Sequence, residues 1–286
     1  MGHGSYSVDN STSRSYSNNY SGQSVNTVFK NKSVTNEMKS VGVKIRESRD
    51  SNEHLNSLGI MIGLDVTGSM GSIPHYLISE GLTNIMSKLF SAGIKDPQVL
   101  FLGIGDTYFD DVPLQVSQFE SNDEILDKWL KDIYLEGCGG GNRGESYTLA
   151  WYFAANHTSI DCWEKRKEKG FIFTIGDDGV FNDISAKHLK AVMGSNKDSE
   201  YKDVTAAELY EEVSKKYNVY HIHVNFTNTG IDLKLDKWKE LLGDHLLIAE
   251  NKKEISTLIA DTIKNNVTQK SYVTQGRILL TDDDLL

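Results

Sequence analysis

Several things are scarce in this chain, and each scarcity excludes something. Two cysteines in 286 residues, Cys138 and Cys162, are too few for a disulfide framework and fit a reducing, intracellular setting. Positive charge is in deficit: 30 Lys and Arg stand against 40 Asp and Glu, a formal net charge of −10. That balance argues against general nucleic-acid binding, which needs a basic footprint, and against anionic membranes. No apolar run approaches a membrane-spanning length, and no apolar segment near residue 1 reads as a secretory leader. The expectation is a soluble, cytoplasmic protein. Large apolar residues are also scarce over residues 1–40, where Ser, Asn, Gly and Tyr dominate. Such a stretch buries too little surface to offset its ordering entropy, so disorder is expected there, with Tyr6, Tyr16 and Tyr20 as contacts for a partner or as plain solvated residues.

Beyond that point the chain has ample apolar sequence in a regular alternation. Val41–Ile45 reads as an edge strand, and residues 46–57 as a charged connector. Four further apolar runs end abruptly in polar or glycine-containing turns: Ile60–Leu64, Gln98–Gly105, Phe171–Gly176 and Val219–Asn225. Segments with helical spacing lie between them, such as Ile78, Leu82, Ile85 and Leu89, or Ile125, Leu126, Trp129, Leu130 and Ile133. Leu114–Phe119 alternates and suits an edge strand with antiparallel pairing. Leu246–Ala249 reads as a last short strand and Glu254–Val267 as the closing helix. Strands alternating with helices predict a doubly wound, mostly parallel sheet with helices on both faces. The expected domain spans 58–267, with a tail over 268–286 whose Asp282–Asp284 run reads as a short linear motif or a frayed end.

The most informative stretch is Ile60–Gly71, IMIGLDVTGSMG. A buried strand gives way to Asp65, Thr67 and Ser69 just before a helix, the place where open α/β sheets hold ligands. Alternation lets a tightly curled loop aim all three oxygens at one point. A hard cation such as Mg²⁺ takes oxygen ligands and keeps several waters. The same residues also suit a capped helix start, with Ser69 or Ser72 as N-cap and Gly68 and Gly71 as turn residues.

The DVTGSM segment resembles the DxTxS signature of von Willebrand factor A (VWA) domains, whose metal-ion-dependent adhesion site (MIDAS) holds Mg²⁺ above a doubly wound sheet. The resemblance covers roughly residues 58–266. It implies two further metal loops. The second corresponds to the glycine-rich Gly137–Ser146, where the family's usual threonine is missing; Glu145 or Asn142 stands in, with Glu145 favoured. The third corresponds to the strand end at Asp177, with Asp178 as a turn alternative. Asp106, after the second core strand, is read as an outer-shell carboxylate or a turn residue. The implied cofactor is Mg²⁺, with Mn²⁺ or Ca²⁺ as substitutes. The implied function is a binding or scaffold module of the intracellular prokaryotic or phage-like type. Its partner would offer a carboxylate, and an AAA+ ATPase, a signalling protein or a second copy of the chain all fit. No catalytic residue is implied.

Two other readings compete. Asp65 with the later GDDGVFND imitates haloacid-dehalogenase-like phosphohydrolases, with Asp65 as nucleophile and Asp177, Asp178 and Asp183 on Mg²⁺. The acid expected two residues after such a nucleophile is Thr67 here. A metal-free structural subunit is the third reading. His221 and His223, one strand face apart by two residues, read as structural histidines or as half of a zinc site.

Overall fold

The computed structural model describes residues 4–137, 144–194, 200–225 and 232–278. The strands are β1 (Arg46–Ser48), β2 (Leu58–Asp65), β3 (Pro97–Ile104), β4 (Leu114–Val116), β5 (Gly144–Glu145), β6 (Thr158–Ile160), β7 (Gly170–Gly176), β8 (Gly179–Val180), β9 (Asp183–Ile184), β10 (Val204–Thr205), β11 (Tyr217–Val224) and β12 (Leu246–Ala249). The helices are α1 (Val8–Ser17), α2 (Val25–Val28), α3 (Ser72–Tyr76), α4 (Leu82–Ser91), α5 (Asp123–Asp132), α6 (Tyr147–Asn156), α7 (Asp161–Glu164), α8 (Ala186–Met193), α9 (Ala206–Ser214), α10 (Asp232–Leu242) and α11 (Lys252–Ile278).

Six strands form the central sheet in the order β12-β11-β7-β2-β3-β4. All neighbours run parallel except β3 and β4. β2 and β3 are buried along their whole length, because helices cover both faces of a parallel sheet. α4 packs against α11 and α6 against α9 as the helical layers. The expected inward positions Ile78, Leu82, Ile85 and Leu89 are all buried. Between α3 and α4 the helix passes through one π-turn, Leu77–Gly81. A side chain on Gly81 would collide with the Tyr76 ring, so the widened turn needs a glycine there.

Three expectations are corrected. The first concerns residues 1–40. Tyr6, Tyr20, Phe29 and Met38 are buried, while Tyr16 stays exposed. Arg14 pairs with Asp123, the Tyr20 hydroxyl donates to Asp127 at 3.0 Å, and Ser15 donates to the Ser79 carbonyl at 2.5 Å. Composition describes what this segment can do alone. Here it adds a few well-spaced apolar anchors to a core that the rest of the chain has already built, which costs far less than making a core of its own. The second concerns the edge strand. It forms at Arg46–Ser48, where it pairs with β6 away from the central sheet, and Val41 and Ile45 are exposed. The third concerns the closing helix, which begins at Lys252 and runs on to Ile278, through the start of the expected tail. Asp282–Asp284 lies outside the described residues.

Candidate functional site

The order β7-β2-β3 brings three strand ends side by side. Leu64 is in register with Ile175, and Asp65 with Ile104. Each strand ends on an acid or just before one, so the tertiary fold gathers Asp65, Asp106 and Asp177 along one edge. All three are buried. The second loop joins them through a two-residue ladder, with Glu145 in register with Val180. It is also pinned to the end of β3. Ser146 donates its backbone N–H to the Gly105 carbonyl at 3.2 Å, and its hydroxyl accepts from the Thr107 N–H at 3.0 Å.

Asp65 is the centre of the hydrogen bonding. Its Oδ1 accepts from the Thr67 N–H at 2.9 Å and the Thr67 hydroxyl at 2.6 Å. Its Oδ2 accepts from the Tyr147 hydroxyl at 2.8 Å. Because the Thr67 proton points at Asp65, the lone pairs of Thr67 Oγ1 are left for another acceptor of electron density, such as a cation. Gly68 follows in a short 3₁₀ turn, Gly68–Met70, and passes so close to Gly137 that a Cβ would lie 2.6 Å from its carbonyl oxygen. The first and second loops therefore meet backbone to backbone.

The electrostatics are unbalanced. Burial pushes the Asp65 carboxyl up to about 7 against the pull of its hydrogen bonds, and the Asp177 charge adds to the rise. Burial also pushes Glu145 up to about 10, with Asp65, Asp106, Asp178 and Asp110 as the charges that raise it further. Glu145 Oε2 is buried without a hydrogen-bond partner among the described residues. Nearby, burial and a hydrogen bond that the protonated Glu136 donates to Asp110 hold Glu136 at about 8. Like charges that share a buried site suppress one another's ionisation.

The sequence-derived site residues are distributed as follows. Asp65, Thr67, Glu145 and Asp177 are buried at the one edge. Asp106 is buried beside them and also makes the turn contact expected of it, accepting from the Tyr108 N–H at 2.8 Å. Asp178 is half-buried; its Oδ1 accepts from the Gly179 N–H at 3.2 Å and its carbonyl from Trp238 Nε1 at 3.0 Å. Ser69 lies in the 3₁₀ turn, but its side chain falls outside the described residues, as does all of Asn142. Asp183 is exposed on the β9–β10 ribbon, outside the buried cluster. Among the described residues no group of three or more His, Cys, Asp or Glu is arranged as a metal cage.

Tyr147 was not found from the sequence. Its ring is buried and boxed by His221 and Trp238, which stack at 3.7 Å. It reaches Asp65 only because Gly176 lacks a side chain: a Cβ there would run into the Tyr147 hydroxyl. His221 serves this box. Its Nδ1 is within 2.9 Å of the Thr174 hydroxyl, and burial, then the neighbouring His223, hold it well below the usual histidine range, hence neutral.

The β12-β11-β7-β2-β3-β4 order, with the Asp65 loop at the carboxyl edge of β2, is the architecture the sequence resemblance implies. The fold is VWA-like. No protein-family model matches the chain, and no curated protein matches it in sequence. Among solved structures it is similar to the vWF domain of the type V pili tip protein Mfa5 from Porphyromonas gingivalis, at 9% identity and TM-score 0.46, covering 80% of this chain and 97% of that one. It is also similar to BatB from Bacteroides thetaiotaomicron, at 14% identity and TM-score 0.43, covering 74% and 99%. The pilus adhesin SpaC from Lactobacillus rhamnosus GG is similar at 10% identity and TM-score 0.48, covering 76% of this chain and 30% of the adhesin. The chain thus spans less than a third of that adhesin's length. At these identities each is a similarity of shape. Among the described residues of this VWA-like fold, no helix is long and apolar enough to cross a membrane.

Proposed function

We propose that the chain is a protein-interaction module that works through a divalent cation, Mg²⁺ in the first instance, held at the carboxyl edge of the sheet. Asp65, Thr67, Ser69, Glu145 and Asp177 would hold the ion, with Asn142, Asp106 and Asp178 as second contributors. The observation that carries this reading is the burial of Asp65, Glu145 and Asp177 at one edge, where the charges acting on Glu145 are themselves acidic. Buried carboxylates are ordinarily paired, protonated or bound to metal. The donor set fits a hard cation: carboxylate oxygens, the lone pairs of Thr67 Oγ1, and Glu145 Oε2, which has no hydrogen-bond partner among the described residues.

Bound there, the ion would supply an electrophilic point for a carboxylate oxygen of a partner protein. Asp65 orients the Thr67 hydroxyl, and Tyr147 fixes Asp65 from behind. An assembly role beside an ATPase or signalling protein, or self-assembly, is consistent with such a point of capture.

Isothermal titration of Mg²⁺ into the full chain tests this. Asp65→Ala and Thr67→Val are expected to weaken binding by about ten-fold or more, ~1.4 kcal/mol, while circular dichroism stays unchanged. Wild-type affinity in Asp65→Ala would sink the assignment. An affinity pull-down in Mg²⁺ against EDTA then asks whether partner capture depends on the ion.

A further inference from the structure

Beside the buried cluster, the loop after β3 forms one wall of a narrow cavity of about 80 Å³, with α8 as another. Its lining is of two kinds. Val41, Val112, Ala191 and Val192 give apolar walls, and Asp110 and Asp111 add two carboxylates. Asp111 is exposed, and Asp110 is fixed by accepting the Asp106 N–H on its Oδ2 at 2.6 Å. Tyr108 and Phe109 stand out from the same loop, 59% and 62% exposed. The Tyr108 ring is steadied edge-on by Phe181 and by His188, which also lines the cavity.

The negative charge here is unmatched. Among the described residues no lysine or arginine pairs with Asp110 or Asp111; the neighbours of Asp110 are the Asp106 backbone and the acid Glu136. The excess continues inward to Glu145, which is 2% exposed and whose Oε2 has no partner among the described residues. An apolar slot with carboxylates suits one kind of side chain: a long aliphatic stem carrying a cation. The stem takes the apolar walls and the head takes the carboxylates. A carboxylate partner would be repelled here, and a neutral one would leave Asp111 unpaired.

We propose that the cavity between the Asp110–Pro113 loop and α8 receives a lysine or arginine side chain of a protein partner that docks over the neighbouring metal-binding edge. This deepens the cation-dependent reading and rests on it only for the second contact, so that the partner segment would carry a basic residue close to the acid it offers.

The probes are three fluorescein-labelled heptapeptides, each with a central aspartate flanked by lysines, by serines or by glutamates, titrated with the full chain in saturating Mg²⁺. The lysine-flanked peptide is expected to bind about ten-fold more tightly than the serine-flanked one, and the advantage to shrink with added salt. Ala191→Trp fills the slot from an exposed position while leaving both carboxylates in place, and is expected to erase most of that advantage, as is Asp111→Asn. Equal affinity for the lysine and serine peptides, or an advantage that survives Ala191→Trp, overturns the proposal. EDTA separates the two readings. If EDTA leaves binding of all three peptides unchanged while Ala191→Trp still removes the lysine preference, the cation reading fails and the basic-side-chain slot stands.

Discussion

The two ends of the central sheet use the same acidic residues in opposite ways. At the amino ends of the strands, Asp50, Asp161 and Glu164 are held by Arg49, Arg166 and Lys165. Asp50 accepts from the Ser57 hydroxyl at 2.7 Å and Asp161 from the Asp50 N–H at 2.9 Å. All three carboxyls lie below their ordinary range despite partial burial: hydrogen bonds from Ser57, Lys165 and Ser159 respectively, with the neighbouring arginines, outweigh desolvation. At the carboxyl ends, Asp65, Glu136 and Glu145 face other acids and lie far above it. Charge at one end is spent on cohesion. At the other, among the described residues, the raised acids face further acids, and such a buried cluster is a reason to look for a ligand.

The contrast can be broken or sharpened in four ways. The largest effect is the pH profile of the metal-free protein, since several groups act together. Groups with raised folded values cost stability at high pH, and that cost is relieved progressively as pH falls from about 10, 8 and 7 toward their ordinary range near 4. Groups with lowered values contribute stability above their ordinary range near 4, and it is lost as pH falls further. Thermal melting in EDTA should therefore give a Tm that rises from alkaline pH toward about 5 and then drops below about 4. A profile flat from pH 6 to 10 would deny the excess charge at the carboxyl edge. Added Mg²⁺ should flatten the alkaline limb.

Next comes Gly176→Ala, which forces the boxed Tyr147 ring to move and breaks its bond to Asp65. Overpacking of this kind costs about 3 kcal/mol, read by urea unfolding, and it should lower Mg²⁺ affinity as well. Arg166→Met follows. It removes the donors to Asp50 and to the Ser57 carbonyl, for a loss of about 1–2 kcal/mol once solvent screening is allowed for. The smallest effect has the opposite sign. Glu145→Gln replaces an acid that must take up a proton to be buried beside other acids and should stabilise the metal-free chain by about 1 kcal/mol, while weakening Mg²⁺ binding. A loss of stability in both Arg166→Met and Glu145→Gln would erase the distinction between the two ends.

Much of the framework was legible because it is written in local patterns. Buried strands read as apolar runs, and the acids at their ends stand out because each run stops abruptly. Asp65, Asp106 and Asp177 were therefore named before the sheet order joined them. Tyr147 was not, since an aromatic residue opening an apolar helix reads as core, and its hydroxyl acquires a role only when β7 sets Gly176 beside it. The Asp110–Glu136 pair was missed for the same reason: 26 positions apart in sequence, they meet only across the β3 loop. Residues 4–40 misled in the other direction, because composition measures self-sufficiency and these residues lean on helices built by others.

The sequence by itself determined the alternation of strands and helices, the oxygen-rich break after β2 and the surplus of negative charge, all of which follow from residue order over a few turns of chain. Only the tertiary structure decided where that surplus collects, which acids are paired and which repel, and which glycine lets Tyr147 reach Asp65. Those are matters of through-space distance, and distance between remote segments exists only once the sheet has assembled.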